Sequence, residues 1–315
     1  MDLKGICPPG TKRALTIPVP GGEGIGAMMV EGARPGRTLV AVAGVHGCEY
    51  VGIQALRELM DELDPAQMAG RAMLIPVANA PGFFSGAKQV VPEDGKNLNR
   101  CFPGSAQGTL ASRMAWALET CCYGADLLVD LHGGDVNEDM APLVFFPVGA
   151  GERIEGLTRR AAAGLSLRYM VRSTADNGLY SYGAQRQVPA LLIERGGGGR
   201  WTPEEVDACK QNVRQLLGHL AILPPQPAED PPLEIVHTCY EQAKSQGFWI
   251  CRKSPGDAVG QGALLGEVRD LYGTVTQRCA AKFDGIVLYR THALGVGRGD
   301  PLIAYGCTGE AGSRP

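Results

Sequence analysis

The stretch "TLVAVAGVHGCEYVGIQALRELMDEL", residues 38–63, changes its pattern once, at a turn. Its first part is unbroken apolar sequence, which predicts a buried strand, and its last part places Leu56, Leu59, Met60 and Leu63 on one helical face. Between them stand His46 and Glu49, three residues apart in a glycine-padded turn, and neither suits an apolar core. A strand that hands over to a helix through such a turn is the repeating unit of an open α/β sheet. Ligands bind outside the carboxyl ends of the strands in these sheets.

The same alternation extends outward. "RAMLIPVAN" (71–79), "ADLLVDLH" (125–132) and "VPALLIERG" (188–196) read as further buried strands. "TLASRMAWALETCCYG" (109–124), "RIEGLTRRAAAGL" (153–165) and "TPEEVDACKQNVRQLLGHL" (202–220) read as helices. The last opens with Thr202 as N-cap, Pro203 at the first helical position and Glu205 at the third, the pattern of a capping box. "RALTIPVPG" and "GIGAMMVEG" predict an antiparallel hairpin added to this sheet. The fold class expected is therefore α/β, a mostly parallel mixed sheet with helices on both faces.

"LPPQPAEDPP", residues 223–232, holds five prolines and cannot continue a helix or a central strand, so it marks a boundary. The expected division is a catalytic α/β domain over 1–224 and a small all-β domain over 233–315. Beyond the boundary, "GFWICRKSPGDAVGQGALLGEVRD", "GTVTQRCAAKFDGIVLYRT" and "GVGRGDPLIAYG" are short β-prone runs punctuated by glycine turns.

Composition excludes several classes. The chain has 315 residues, 44% of them hydrophobic and 20% charged, with a formal net charge of -3, so a basic stripe for nucleic acid is not expected. "MDLKGICPPGTKR" at the start has no long apolar run, and no later stretch is long enough for a membrane span, so a cytoplasmic location is expected. The ten cysteines are dispersed and form no C-x-x-C pair, so they read as reduced packing residues. "PGGEGIGAMM" leads into a strand and fails the dinucleotide fingerprint, "RGGGGR" lacks a phosphate-loop Lys-Ser or Lys-Thr, and no G-x-S-x-G elbow occurs.

Three predicted strands end in functional groups: His46 and Glu49, then His132, then Glu194. Two imidazoles and one carboxylate are the protein ligand set of hydrolytic zinc, with Glu194 left over as a base. The bland reading of each histidine, a hydrogen-bonded structural residue, is outweighed because two of only five histidines fall in glycine-flanked strand ends beside acids. His219, His237 and His292 lack such company and read as structural, and Cys48 is the poorer nucleophile candidate because its side chain should point away from the ligands. Asp130 lies two residues before His132, so the pleat puts both on one face and Asp130 can accept the outer N–H of that imidazole.

"GVHGCEYVG", "DGKNLNRCFPG", "DLHGG" and "PALLIERGG" occur in the order and spacing of the succinylglutamate desuccinylase/aspartoacylase family, a branch of the zinc carboxypeptidase superfamily, and the resemblance spans roughly residues 11–310. It implies a zinc-carboxypeptidase-like fold with a C-terminal module similar to a barrel-sandwich, which shields the active-site mouth. It also implies one Zn2+ per chain held by His46, Glu49 and His132, Glu194 as general base, and Asn99 with Arg100 holding a substrate carboxylate. For Arg100 a surface salt bridge is the bland alternative. Many relatives carry a carbonyl-polarising arginine where this chain reads "GAKQVVPEDG", which offers Lys88 or Gln89 instead. Tyr180 and Tyr182 fall where relatives contact substrate, although packing is as good a reading. The reaction implied is deacylation of a small N-acyl amino acid, with no nucleic-acid or membrane partner and a homo-oligomer left open. A carboxypeptidase acting on short peptides and a non-catalytic metabolite-binding member are the alternatives.

Overall fold

A computed structural model describes residues 5–228 and 230–309, so residues 1–4, Glu229 of the proline-rich segment and residues 310–315 lie outside the described residues. Its main element is a nine-stranded sheet ordered Thr11–Ile17, Ile25–Glu31, Ala69–Ile75, Arg34–Ala43, Leu127–His132, Ala190–Glu194, Leu143–Pro147, Tyr169–Ser173 and Leu233–Ile235. The four central strands run parallel, from Ala69–Ile75 to Ala190–Glu194. The expected hairpin closes one edge, with Thr11–Ile17 antiparallel to Ile25–Glu31 and the latter antiparallel to Ala69–Ile75.

Central strands sit between two helical layers, which explains why residues 39–43 are apolar at every position rather than at alternate ones. Leu39, Ala41, Leu127, Val129, Leu131 and Ile193 face a layer made by helices Tyr50–Glu62, Glu152–Ala163 and Pro203–His219. Val40, Val42, Leu128 and Leu192 face the opposite layer, helices Leu110–Cys122 and Leu179–Gln185. Each fully buried leucine in these layers contributes about 1.5–3 kcal/mol relative to exposure. Thr202 caps the last long helix by accepting from the Glu205 backbone N–H. Only that half of the expected capping box forms, because the Glu205 carboxylate pairs with Arg195 Nη1 at 2.9 Å.

The proline-rich segment leads into Leu233–Ile235, which joins the edge of the large sheet beside Tyr169–Ser173. From His237 onward the chain forms two antiparallel sheets around Trp249, Leu265, Val268, Leu302 and Tyr305. One of them gains a strand from the other part of the molecule: Glu138–Met140 pairs antiparallel with Gly285–Thr291. Leu288 packs with Leu143, Tyr169 and Ile235 at the same seam. All ten cysteines are free thiols, and no helix among the described residues is long and apolar enough to cross a membrane.

Candidate metal centre and active site

The three polar strand ends meet at the carboxyl edge of the sheet. Gly44 leaves the Arg34–Ala43 strand with φ of 65° and starts the turn that carries His46 and Glu49. Gly47 is required inside it, because a Cβ there would lie 2.3 Å from the backbone nitrogen of Phe83. Glu49 occupies the N-cap position of helix Tyr50–Glu62 and yet makes no side-chain cap. Its carboxylate turns to the imidazoles instead.

One Glu49 oxygen lies 2.7 Å from Nδ1 of His46 and the other 2.9 Å from Nδ1 of His132. The two rings stand edge to face with centroids 4.8 Å apart. All three residues are buried, and one ligand atom from each falls within 4.8 Å of the others. Burial alone would raise the Glu49 pKa, but the charges and hydrogen bonds of His132 and His46 overcome it and hold the carboxyl well below the usual range. Two imidazole nitrogens and a carboxylate converging out of water fit a divalent cation of zinc's preference. Magnesium and calcium favour all-oxygen donors.

The outer nitrogens are also occupied. Nε2 of His46 lies 3.0 Å from Oδ1 of Asn97, an oxygen that accepts the Asn99 backbone N–H as well. The Asn97 oxygen can only accept, so with the proton on Nε2 it is Nδ1, the nitrogen facing Glu49, that is left to ligate a metal. Nε2 of His132 lies 3.1 Å from Oδ1 of Asp130, which is fully buried. That approach is a close charge contact out of line with the ring N–H, since neither atom completes an aligned hydrogen bond. Burial pulls the His132 pKa down, and the nearby Asp130 and Glu49 carboxylates more than reverse this and raise it well above its ordinary value.

Glu194 ends its strand in register with His132. Its Oε2 is sealed from solvent and has no hydrogen-bond partner among the described residues. Burial raises its pKa well above the carboxylate range, with Glu49, Glu138 and Asp130 adding to the effect and His132 opposing it.

His46, Glu49, His132 and Glu194 line one cavity of about 410 Å³, together with Asn99, Arg100, Tyr180 and Gln89. Asn99 is buried and its Oδ1 accepts the Leu179 backbone N–H, while Arg100 is exposed toward solvent and donates to the Asn99 carbonyl. Tyr180 is buried with its hydroxyl donating to Ser173. Two expected contacts fall elsewhere. Lys88 points away, with Nζ 2.8 Å from Asn137 Oδ1 and 3.6 Å from the buried Asp135 carboxylate, so its charge is already matched, and Gln89 is the residue of that pair in the wall. Tyr182 packs against Tyr123 at a centroid distance of 6.1 Å and is not in the wall, because two residues along a helix face nearly opposite directions.

Cys48 lies 3.3 Å from Asp135 Oδ1, and burial chiefly pushes its thiol far above its usual pKa, so it is no nucleophile. His219 sits in the last turn of its helix, His237 stacks on Phe283 and His292 donates its backbone N–H to Asn137, all outside the cavity. Sequence reasoning missed Glu138, Tyr240, Leu288 and Tyr289, which close the cavity from the strand at 138–140 and the C-terminal sheets. Their only signal is a pairing between residues about 150 apart in the chain.

This arrangement is an α/β fold with a possible metal site, His46, Glu49 and His132, and a further carboxylate beside it. A family model for the succinylglutamate desuccinylase/aspartoacylase catalytic domain matches residues 35–220, and the chain belongs to that family. N-alpha-acetyl-L-2,4-diaminobutyric acid deacetylase of Halomonas elongata is 28% identical over 278 residues, covering 85% of this chain and 81% of its own. The product-bound structure of the ectoine utilization protein EutE (DoeB) of Ruegeria pomeroyi superposes with a TM-score of 0.83 at 26% identity, covering 90% of this chain and 89% of that one. A family member from Rhodobacter sphaeroides shares the fold at a TM-score of 0.86 and 24% identity, over 95% and 96% of the two chains.

Proposed function

We propose that this chain is a zinc-dependent amidohydrolase that removes the acyl group from a small N-acyl amino acid. One observation carries the reading: the His46, Glu49 and His132 ligand atoms converge in the same cavity as the sealed Glu194 carboxylate and Arg100. The Halomonas relative, a deacetylase by name, supports it.

In this reading a bound zinc ion supplies Lewis-acid polarisation of the scissile carbonyl and acidifies a water. Glu194 takes the proton of that water at Oε2 and returns it to the leaving amine, a role its raised pKa suits. Asn97 and Asp130 hold the outer nitrogens of the two imidazoles and keep both Nδ1 atoms directed inward. Arg100 receives the substrate carboxylate through a two-point hydrogen bond, with Asn99 fixing the turn beneath it. Gln89 is the wall residue able to donate to the carbonyl oxygen where relatives carry a cation, and Tyr180 is a further contact. Residues 1–224 act as the catalytic domain, and 233–315 narrow the mouth through Tyr240, Leu288, Tyr289, Pro301 and Ala304.

A cavity of about 410 Å³ roofed by the second part suits a small ligand. Metal analysis of the purified protein, with amine release measured across acetyl and succinyl amino acids and di- and tripeptides, tests the reading. The expected result is about one zinc per chain and release from acyl amino acids alone, abolished by chelation and restored by zinc. Release from peptides in preference, or full activity after complete metal removal, overturns it.

A further inference from the structure

Each charged side chain in the cavity wall has a task in that reading except one. Glu49 is committed to the imidazoles, Glu194 to the proton and Arg100 to a carboxylate. Glu138 remains.

Glu138 is placed with care. Its Oε2 accepts the Asp135 backbone N–H at 3.0 Å and its Oε1 accepts the Tyr289 hydroxyl at 2.9 Å. Tyr289 is itself held 2.8 Å from Thr291 Oγ1, and Thr291 donates onward to the Pro301 carbonyl at 2.6 Å. Gly197 clears the way for this segment, because a Cβ there would lie 2.5 Å from the Glu138 carbonyl. Both neighbours act as donors, so they favour the ionised carboxylate, which accepts about four hydrogen bonds and keeps roughly half that capacity for a ligand.

No lysine, arginine or histidine among the described residues forms an ion pair with Glu138, and the nearest charges that act on it, Asp135 and Glu49, are acidic. Lys88, the basic side chain that reaches residues 135–137, is held by Asn137 and Asp135. Desolvation and these acids raise the Glu138 pKa. Around it the wall is apolar, with Met140, Leu143, Phe145 and Leu288. A cation entering there meets one charged acceptor in surroundings that strengthen the attraction.

We propose that Glu138, positioned by Tyr289, receives an ammonium group, and that the substrates are N-acyl diamino acids carrying one acylated amine, one free amine and one carboxylate. This rests on the hydrolase reading and deepens it. Arg100 takes the carboxylate, the acylated nitrogen lies at the metal centre, and the free ammonium reaches Glu138. Acyl amino acids with an acidic side chain are rejected, because they bring a second negative charge against an acid.

The test compares kcat/KM for N-α-acetyl-2,4-diaminobutyrate with that for N-acetyl-2-aminobutyrate, which differs by loss of the ammonium. Wild-type protein should prefer the first by about tenfold to a hundredfold, the range of one hydrogen bond to a charged group. Glu138→Gln should bring the ratio to within about twofold, and Tyr289→Phe, which keeps the carboxylate and removes its anchor, should lower it by a smaller factor. A wild-type ratio near one, or an unchanged ratio in folded Glu138→Gln, overturns the proposal. Absence of hydrolysis with every acyl amino acid defeats the hydrolase reading instead. The ammonium site is then read by titrating free 2,4-diaminobutyrate and 2-aminobutyrate onto the zinc-loaded protein. Preference for the diamine that is lost in Glu138→Gln supports the site, and equal binding of the two overturns it.

Discussion

Glu194 and His132 stand in register at the ends of neighbouring parallel strands, so the sheet sets the proposed base beside a proposed metal ligand without help from a flexible loop. Glu194→Gln keeps the shape and removes the ability to carry a proton. It should retain zinc and lose about 100-fold to 10,000-fold in kcat. Turnover within a few-fold of wild type, with zinc at full occupancy, would remove Glu194 from its assigned role.

Asp130 approaches His132 from inside the sheet, and neither of its carboxylate oxygens has a hydrogen-bond partner among the described residues. Asp130→Asn should weaken zinc affinity by about 10-fold to 100-fold, measured by competition with a chromogenic chelator. Asn97→Ala, which frees Nε2 of His46, should act in the same direction. Affinities equal to wild type in both variants would mean that the outer nitrogens do not matter.

The two residues of the "KQ" pair separate cleanly. Lys88→Met should leave kcat/KM within about twofold, because its ammonium is engaged with Asn137 and Asp135 outside the cavity wall. Gln89→Ala should lower kcat/KM by about tenfold or more if its amide donates to the developing oxyanion. The reverse order of effects would restore lysine to the site.

Helices Tyr50–Glu62 and Pro203–His219 are clasped by Lys210, whose Nζ lies 2.6 Å from Glu58, 2.7 Å from Glu62 and 2.9 Å from Asp207. Hydrogen bonds from Lys210 lower the pKa of Glu58 and Glu62. Their folded values lie below the unfolded ones, so this stabilisation is present at neutral pH and fades as pH falls below about 4. The partners are partly exposed, so the network contributes only about 1 kcal/mol. Lys210→Met should melt a few degrees lower than wild type at pH 7, and the two should converge near pH 3. A gap that is constant with pH would mean that packing, not charge, is lost.

Much of this was legible in the sequence because it is local. Residues 39–43 declare a doubly covered strand by being apolar throughout, and the glycines around His46 mark the turn. His46, Glu49, His132 and Glu194 each follow such a strand at fixed spacing, so topology alone brings them to one edge. Which of Lys88 and Gln89 faces the cavity, and whether Tyr182 packs or lines it, stayed open because spacing from a motif carries no side-chain direction. Lys88 is drawn off by Asp135, 47 positions onward, and Tyr182 lies on the far side of a short helix. Glu138 and Tyr289 meet only because one strand of the first part pairs with a sheet of the second, which no local pattern encodes.

That shared strand has a mechanical consequence. Met140, Asp139 and Glu138 stand opposite Tyr289, Arg290 and Thr291, and Arg290 grips the Asp139 carboxylate with two nitrogens at 2.9 and 3.0 Å. The ceiling over the reaction chamber is thus stitched to its floor by main-chain hydrogen bonds, so it behaves as a fixed vault and not as a swinging door. Cutting it away would bare two raw strand edges and invite clumping, and any retuning of which molecules fit must come from swapping the side chains along the stitching.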